Sequence, residues 1–411
     1  MPLDTPLASL GSGLELTLKS FGEARTLPGA VYTSPEVLRL EQEGIFARRW
    51  LCVGREADIP APGDYLVREI AGNSVVFLRG GDDQIRAFYN VCRHRGSKLL
   101  DDPGGKGLAR VLCPYHAWSY NLDGTVQNAP QMGEDFCKEN FSLVSVRHEL
   151  FHGFLFANLD NAAVPLTTHF ADLPDLSRFR MGELVRGRRI EYEVAANWKL
   201  LCENYSECYH CAGAHPQLHR ISEPMPRDSR KSEVGACFNG GPMQLREGID
   251  TMSMSGRSSL PTIPGLSHDD CRYVHYYVVY PNMLLSPHPD YVLTHTAWPI
   301  SPTRTRVECE WLFTKEAVSQ QGFDPSDVVE FWDMTNRQDW ALCERAQAGV
   351  GSRGFRQGPY QATEDCVHTF DRWYANQLVP LLPLAPPARP ASLASAAPPV
   401  KPMSPVSPRV A

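Results

Sequence analysis

The spacing of apolar residues divides the chain into stretches of different period. Residues 1–30 carry few apolar anchors, so a flexible N-terminus is expected there. At Thr33-Ser34-Pro35-Glu36, Thr33 with Glu36 fits a capping box and a proline sits in the first turn. The helix that follows would place Val37, Leu40, Ile45 and Phe46 toward a core and end near Arg49-Trp50. From residue 51 to about 159 the pattern becomes short β-branched and aromatic runs at 64–67, 74–78, 86–89 and 154–157. Gly and Asp punctuate them, as at Arg79-Gly80-Gly81-Asp82-Asp83, a predicted hairpin turn.

A helical period returns at Trp198, Leu201, Tyr205 and Tyr209, and Gly213 with Pro216 requires that helix to end or distort. Residues 222–268, rich in Ser, Gly, Met and Pro, form a long excursion that could cover a pocket. Strands follow at 273–280, 292–298 and 306–313. A helix is then predicted from Asp324-Pro325 to Ala348, stopped by Gly349, with Val328, Trp332, Thr335, Asp339, Leu342 and Ala346 on its inward stripe. The fold class is therefore α+β. Its expected parts are a flexible 1–30, a packing helix within 31–50, an all-β domain at 51–160, a larger domain at 161–378, and a Pro/Ala/Ser-rich disordered tail at 379–411.

Composition narrows the function classes. The 411 residues are 43% hydrophobic and 21% charged with a formal net charge of -7, which gives no basic footprint for nucleic acid. No apolar run approaches a membrane span, and the acidic, proline-broken start lacks the marks of a signal peptide, so a cytoplasmic protein is expected. Twelve cysteines are spread without paired spacing and are expected to be reduced, small core residues apart from those in the motif below.

That motif is Cys92-Arg93-His94, followed after eighteen residues by Cys113-Pro114-Tyr115-His116. Two thiolates and two imidazoles suit a Rieske 2Fe–2S cluster, or zinc in a closed tetrahedral site. A zinc finger groups its Cys and its His; here each loop carries one of each, so matching loops can hand one ligand to each iron. Downstream, Glu207 and His210 share a helix face, and His215 is out of phase unless the helix breaks. Two imidazoles and a carboxylate suit non-haem iron(II); zinc on Cys208, His210, Cys211 and His215, or plain exposed histidines, are the alternatives. Asp339 in an inward stripe needs a cation or donor, which an internal salt bridge would also provide.

Through Asn90-Val91-Cys92-Arg93-His94-Arg95-Gly96 and Cys113-Pro114-Tyr115-His116-Ala117-Trp118, the chain resembles the Rieske non-haem iron oxygenases. The resemblance implies a Rieske domain and a catalytic domain whose antiparallel sheet wraps a long helix. It places mononuclear iron(II) on His210, His215 and Asp339, the last through the segment 336–344. It also implies a ring, usually a trimer, in which Glu207 bridges His116 of one subunit and His210 of the next. The common residue at that place is Asp, and the longer Glu occurs in members acting on quaternary ammonium compounds. No Walker loop or Gly-rich dinucleotide fingerprint is present, so a separate flavin or iron–sulfur reductase would deliver electrons from NAD(P)H.

The stretch 202–216, Ser286-Pro287-His288-Pro289-Asp290-Tyr291-Val292 and Gly358-Pro359-Tyr360 look most like the glycine betaine and proline betaine demethylating members. Such a substrate needs an aromatic cage, for which Phe238, Tyr276, Tyr291 and Trp298 are candidates. The expected reaction is oxygen-dependent N-demethylation with formaldehyde release. A ring-hydroxylating oxygenase for aromatic substrates is the alternative enzyme; a zinc-stabilised or electron-transfer protein is the alternative without enzyme activity.

Overall fold

The computed structural model describes residues 7–222 and 232–383. The short-strand region folds into three antiparallel sheets. One pairs Ile85–Tyr89, Asn73–Arg79, Tyr65–Ile70 and Gly104–Gly105 in that order; a second pairs Val111–Leu112, Ser119–Tyr120 and Val126–Asn128; a third pairs Leu51–Arg55, Phe154–Asn158 and Arg147–Phe151. Successive residues of Asn73–Arg79 serve two cores, because side chains alternate across a strand. Val76 and Leu78 join Phe88, Cys92, Cys113 and Trp118 in a small core, whereas Val75 and Phe77 join the main core.

The larger domain is built on a seven-stranded antiparallel sheet in the order Val185–Val194, Arg304–Phe313, Val292–Ser301, Met283–Pro287, Tyr273–Val279, Phe238–Gln244 and Glu233–Val234. The helix Ser326–Val350 packs against one face of it. Trp332 Nε1 donates to Tyr291 Oη at 2.6 Å, Tyr192 Oη donates to Asp333 at 2.7 Å, and His295 Nε2 lies 3.2 Å from Asn336 Oδ1. Each fully buried side chain on that stripe, such as Phe331, is worth roughly 1.5–3 kcal/mol. The two domains are pinned together by a reciprocal pair. Cys52 N donates to Asn282 Oδ1 at 3.0 Å, and Asn282 Nδ2 donates to Cys52 O at 2.9 Å.

Several expectations are corrected. Residues 7–17 of the supposedly flexible N-terminus form the helix Leu7–Thr17, whose Leu10 and Leu14 are buried in the main core. Their partners, including the helix Asp365–Leu378, come from the far end of the chain. The helix start near residue 33 uses Ser34 as its cap, with Val37 N donating to Ser34 Oγ, and it widens into a π turn over Gln42–Phe46. The long helix runs through Gly349 to Val350. Its buried stripe is Val328, Phe331, Trp332, Thr335, Asn336, Trp340, Cys343 and Gln347, while Ala346 is exposed. Of the excursion at 222–268, residues 223–231 lie outside the described residues, as does the tail from 384; Val379–Leu381 form a short 3-10 turn. Among the described residues no helix is long and apolar enough to cross a membrane.

Candidate active site

The two Cys-and-His loops have matching backbones. In each, the amide four residues after the cysteine donates to the cysteine carbonyl, Gly96 to Cys92 at 3.0 Å and Ala117 to Cys113 at 3.2 Å. Both closing residues take positive φ, 74° at Gly96 and 57° at Ala117. An alanine there is uncommon, and it holds the second loop in the glycine's conformation. The thiols point inward and lie in hydrogen-bond contact, while His94 is exposed and His116 half-buried. Burial alone would raise the Cys113 thiol, but the amides of Tyr115 and His116, with the Cys92 and Ser97 side chains, hold it below its usual range. Tyr120 Oη lies 3.2 Å from Cys92 Sγ. The two imidazoles stand side by side with centroids 4.7 Å apart, and Trp118 stacks on His94 at 5.1 Å. Sulfur donors inside, fed by amide N–H groups, and imidazoles at the surface fit a Rieske cluster with its histidine iron outermost.

The second site is made by interrupting a helix. Asn197 caps the helix Trp198–Tyr205, its side chain accepting from Lys199 N at 3.1 Å. The helix stops at Ser206, earlier than Gly213 suggests; a turn carries Glu207 to His210, and Cys211–Ala214 resumes for one turn. A second break at His215, whose φ of -124° and ψ of 72° are non-helical, precedes Pro216. Two breaks, rather than the one expected, bring His210 and His215 together with ring centroids 5.1 Å apart.

Asp339 comes to them from the long helix. His215 Nε2 lies 2.9 Å and His210 Nε2 lies 3.3 Å from Asp339 Oδ1, and the three donor atoms fall within 4.8 Å of one another. The opposite nitrogens have their own partners: His210 Nδ1 bonds to Glu207, and His215 Nδ1 lies 2.7 Å from Gln338 Oε1. This is the arrangement by which outer carboxylate or amide groups fix the tautomer of metal-binding imidazoles. Burial opposes charge on His210, yet the hydrogen bonds to Asp339 and Glu207 outweigh it and lift its pKa to about 10. Asp339 is held low by the two imidazoles despite its burial. The two-imidazole, one-carboxylate donor set fits non-haem iron(II).

A cleft with a cavity volume of about 70 Å³ opens above these three residues. Tyr205, Tyr276 and Trp332 wall it, with Tyr205 and Tyr276 centroids 5.9 Å apart at 73° and Tyr276 and Trp332 6.2 Å apart at 63°. Gly240, at φ 149°, lets the neighbouring strand close on Tyr276, whose carbonyl oxygen would lie 1.9 Å from any Cβ there. Among the described residues, none lining the cleft is Lys or Arg, and Glu207 and Asp339 both border it. Of the four cage candidates, only Tyr276 reaches the cleft. Phe238 is buried in a separate core against Tyr277, Tyr291 stands behind Trp332, and Trp298 borders a different cavity with Phe46 and Val67. Tyr205, Trp332 and Gln338 were missed; Tyr205 sits in the helical motif itself, two residues before Glu207, and Gln338 is next to Asp339.

Residues 49–147 match the model of the Rieske [2Fe-2S] domain, and residues 181–379 that of the ring hydroxylating alpha subunit, catalytic domain. The chain is 31% identical over 418 residues to the glycine betaine monooxygenase oxygenase subunit of Pseudomonas aeruginosa strain UCBPP-PA14, covering 91% of this chain and 96% of that one. It is 33% identical over 341 residues to the carnitine monooxygenase oxygenase subunit of Acinetobacter baumannii, covering 81% and 87%. Among solved structures, that of the quaternary ammonium Rieske monooxygenase CntA in complex with L-carnitine superimposes with a TM-score of 0.70 at 28% identity, over 90% of this chain and 98% of that one.

Proposed function

This chain belongs to the Rieske non-haem iron oxygenases, as an oxygenase subunit carrying a 2Fe–2S cluster and a mononuclear iron, and on that premise we propose that it N-demethylates a small quaternary ammonium compound of the glycine betaine type. It is an oxidoreductase that works with a separate reductase on a small-molecule substrate, which removes zinc-stabilised and purely electron-carrying proteins as alternatives. The relatives named for glycine betaine and carnitine favour quaternary ammonium over aromatic substrates.

The observation that carries the substrate class is the cleft: three aromatic rings at steep mutual angles, two carboxylates on its border, and no basic side chain among its described lining residues. Ring faces attract a quaternary ammonium without needing a hydrogen bond, which such a cation cannot donate. The overall chemistry balances as follows: one N-methyl group, dioxygen, two electrons and two protons give a hydroxymethyl ammonium and water. The hydroxymethyl compound then loses formaldehyde and a proton, leaving the tertiary amine.

When bound, the cluster supplies electrons singly and the mononuclear iron supplies dioxygen activation. Cys92, His94, Cys113 and His116 would hold the former, and His210, His215 and Asp339 the latter. Tyr205, Tyr276 and Trp332 would hold the trimethylammonium head over the Nε2 atoms of the two histidines. Glu207 would orient His210 through Nδ1 and, in a homotrimer, meet His116 of a neighbouring subunit. His116 is partly exposed with Tyr115 stacked on it, and Tyr115 at 57% and Tyr209 at 64% exposure lie beside the two sites, which supports that docking. We propose a cytoplasmic location, which the thiol state of the cysteines among the described residues supports.

The test is single turnover of anaerobically reduced, iron-replete protein mixed with oxygen and glycine betaine, proline betaine, carnitine or a benzoate-type acid. Formaldehyde formed in step with cluster reoxidation is expected for one betaine. In Trp332→Ala the apparent affinity should fall roughly tenfold, since one ring face is worth about 1–2 kcal/mol. Reoxidation without formaldehyde from any of these substrates would refute the demethylation reading and leave the oxygenase intact.

A further inference from the structure

Two thiols with no part in this chemistry line the same cleft. Cys208 and Cys211 flank His210, the first in the turn that ends the interrupted helix and the second at the start of Cys211–Ala214. Their side chains are hydrogen-bonded to each other, and Cys211 N donates to Cys208 O at 3.2 Å. Neither is fully buried, unlike Cys52, Cys202, Cys237, Cys309, Cys343 and Cys366, which are packed in cores. Exposed Cys137 hydrogen-bonds to Glu139, and half-buried Cys271 lies outside this cleft.

Residues three apart in a helical turn have Cβ atoms about 5–6 Å apart. A disulfide needs about 3.5–4.5 Å, so closing one here takes a small contraction of the turn. These thiols therefore sit, already in contact, in the cavity where dioxygen is handled. A cavity that binds oxygen without a substrate to oxidise is where hydrogen peroxide would be released.

We propose that Cys208 and Cys211 are a peroxide-oxidised dithiol whose disulfide displaces His210 and releases the mononuclear metal. The first thiol takes one oxygen from hydrogen peroxide, giving a sulfenic acid and one water. The second thiol attacks that sulfur, forming the S–S bond and expelling a second water. The two thiols lose two electrons and two protons, and the peroxide becomes two waters. His210 lies between the two cysteines in the chain, and its Nε2 is only 3.3 Å from Asp339, so contraction of the turn acts directly on the metal-binding geometry. The inference rests on the iron site proposed above but not on the identity of the substrate.

The experiment treats full-length reduced holoprotein with stoichiometric hydrogen peroxide in the absence of substrate and reductase. Free thiols are then alkylated, the peptide containing residues 208–211 is identified by mass spectrometry, and mononuclear iron and the cluster spectrum are measured on the same sample. The expected result is a peptide lacking two hydrogens and both alkyl groups, restored by a dithiol reductant. Metal affinity should fall by more than about a hundredfold, beyond the range for disturbing only an outer partner of a ligand histidine, with the cluster spectrum unchanged. In Cys211→Ser the disulfide should be absent and a sulfenic acid trapped at Cys208, because the bond to Cys208, burial and the neighbouring Asp339 and Glu207 keep the Cys211 thiol protonated. Thiols at 208 and 211 that remain alkylatable while Cys137 is oxidised would overturn the proposal, as would a disulfide that forms with metal affinity unchanged. Failure of the iron assignment alone would show as untreated protein that never bound iron at His210 and His215.

Discussion

Replacing Gln338 by Leu tests how the iron site is built without touching a proposed ligand. Gln338 Oε1 accepts from His215 Nδ1 at 2.7 Å, and His215 is only 1% exposed, so the imidazole has no water to replace that partner. A buried N–H left unsatisfied costs about 1–3 kcal/mol. The imidazole can escape that cost by moving its proton to Nε2, the nitrogen 2.9 Å from Asp339, where it would block metal binding. Either route weakens iron by about ten- to a hundredfold, the usual range for removing such a partner. Equilibrium competition with an iron(II) chelator measures this directly, with the cluster's visible spectrum and the circular dichroism as controls for folding. Gln338→Glu keeps the acceptor and should restore affinity. Unchanged iron binding in Gln338→Leu would refute the argument that the outer amide sets the tautomer of His215.

Other outcomes follow from the same geometry. Asp339→Ala should lose mononuclear iron and keep the cluster spectrum; full iron occupancy by metal analysis would remove Asp339 from the proposed triad. Glu207→Gln should keep both metals yet slow reoxidation of the reduced cluster by oxygen and substrate, and a normal rate in stopped-flow would sink the bridging role. Asp290 is buried, and burial raises its carboxyl to about 6 although Ser258 and Thr251 donate to it. The folded protein therefore holds this proton more tightly than the unfolded chain. Stability from it is complete below about pH 4 and is lost as pH rises through about 6, by roughly 3 kcal/mol. Denaturation midpoints measured from pH 4 to 7 should decline more steeply in the wild type than in Asp290→Asn, and parallel curves would contradict this.

Local chemistry was legible wherever partners lie close in sequence. The four residues proposed to hold the cluster span Cys92 to His116, and each loop carries its own turn, so spacing alone pointed to two matched loops. His210 and His215 lie five residues apart, and Pro216 and Gly213 announced one of the two breaks that unite them. Asp339 was legible because a carboxylate on an apolar stripe demands a partner, even though that stripe's true course favoured Asn336 and Trp340 over Leu342 and Ala346.

The remainder depended on which face meets which. In the strand Tyr273–Val279 alternation separates Tyr276 from Tyr277, but nothing along the chain says that Tyr276 faces the cleft while Tyr277 enters a second core with Phe238. Tyr291 and Trp298 fail as cage residues for the same reason: the long helix places Trp332 in front of Tyr291, and the sheet carries Trp298 to the far cavity. The Leu7–Thr17 helix has a weak pattern because its partner lies some 350 residues away, and no local period encodes a contact of that separation. The sequence by itself determined the proposed donor atoms, since ligand chemistry resides in residue type and short spacing. Only the tertiary structure decided Gln338 behind His215 and the three rings over the site, because those are meetings between elements that each look complete alone.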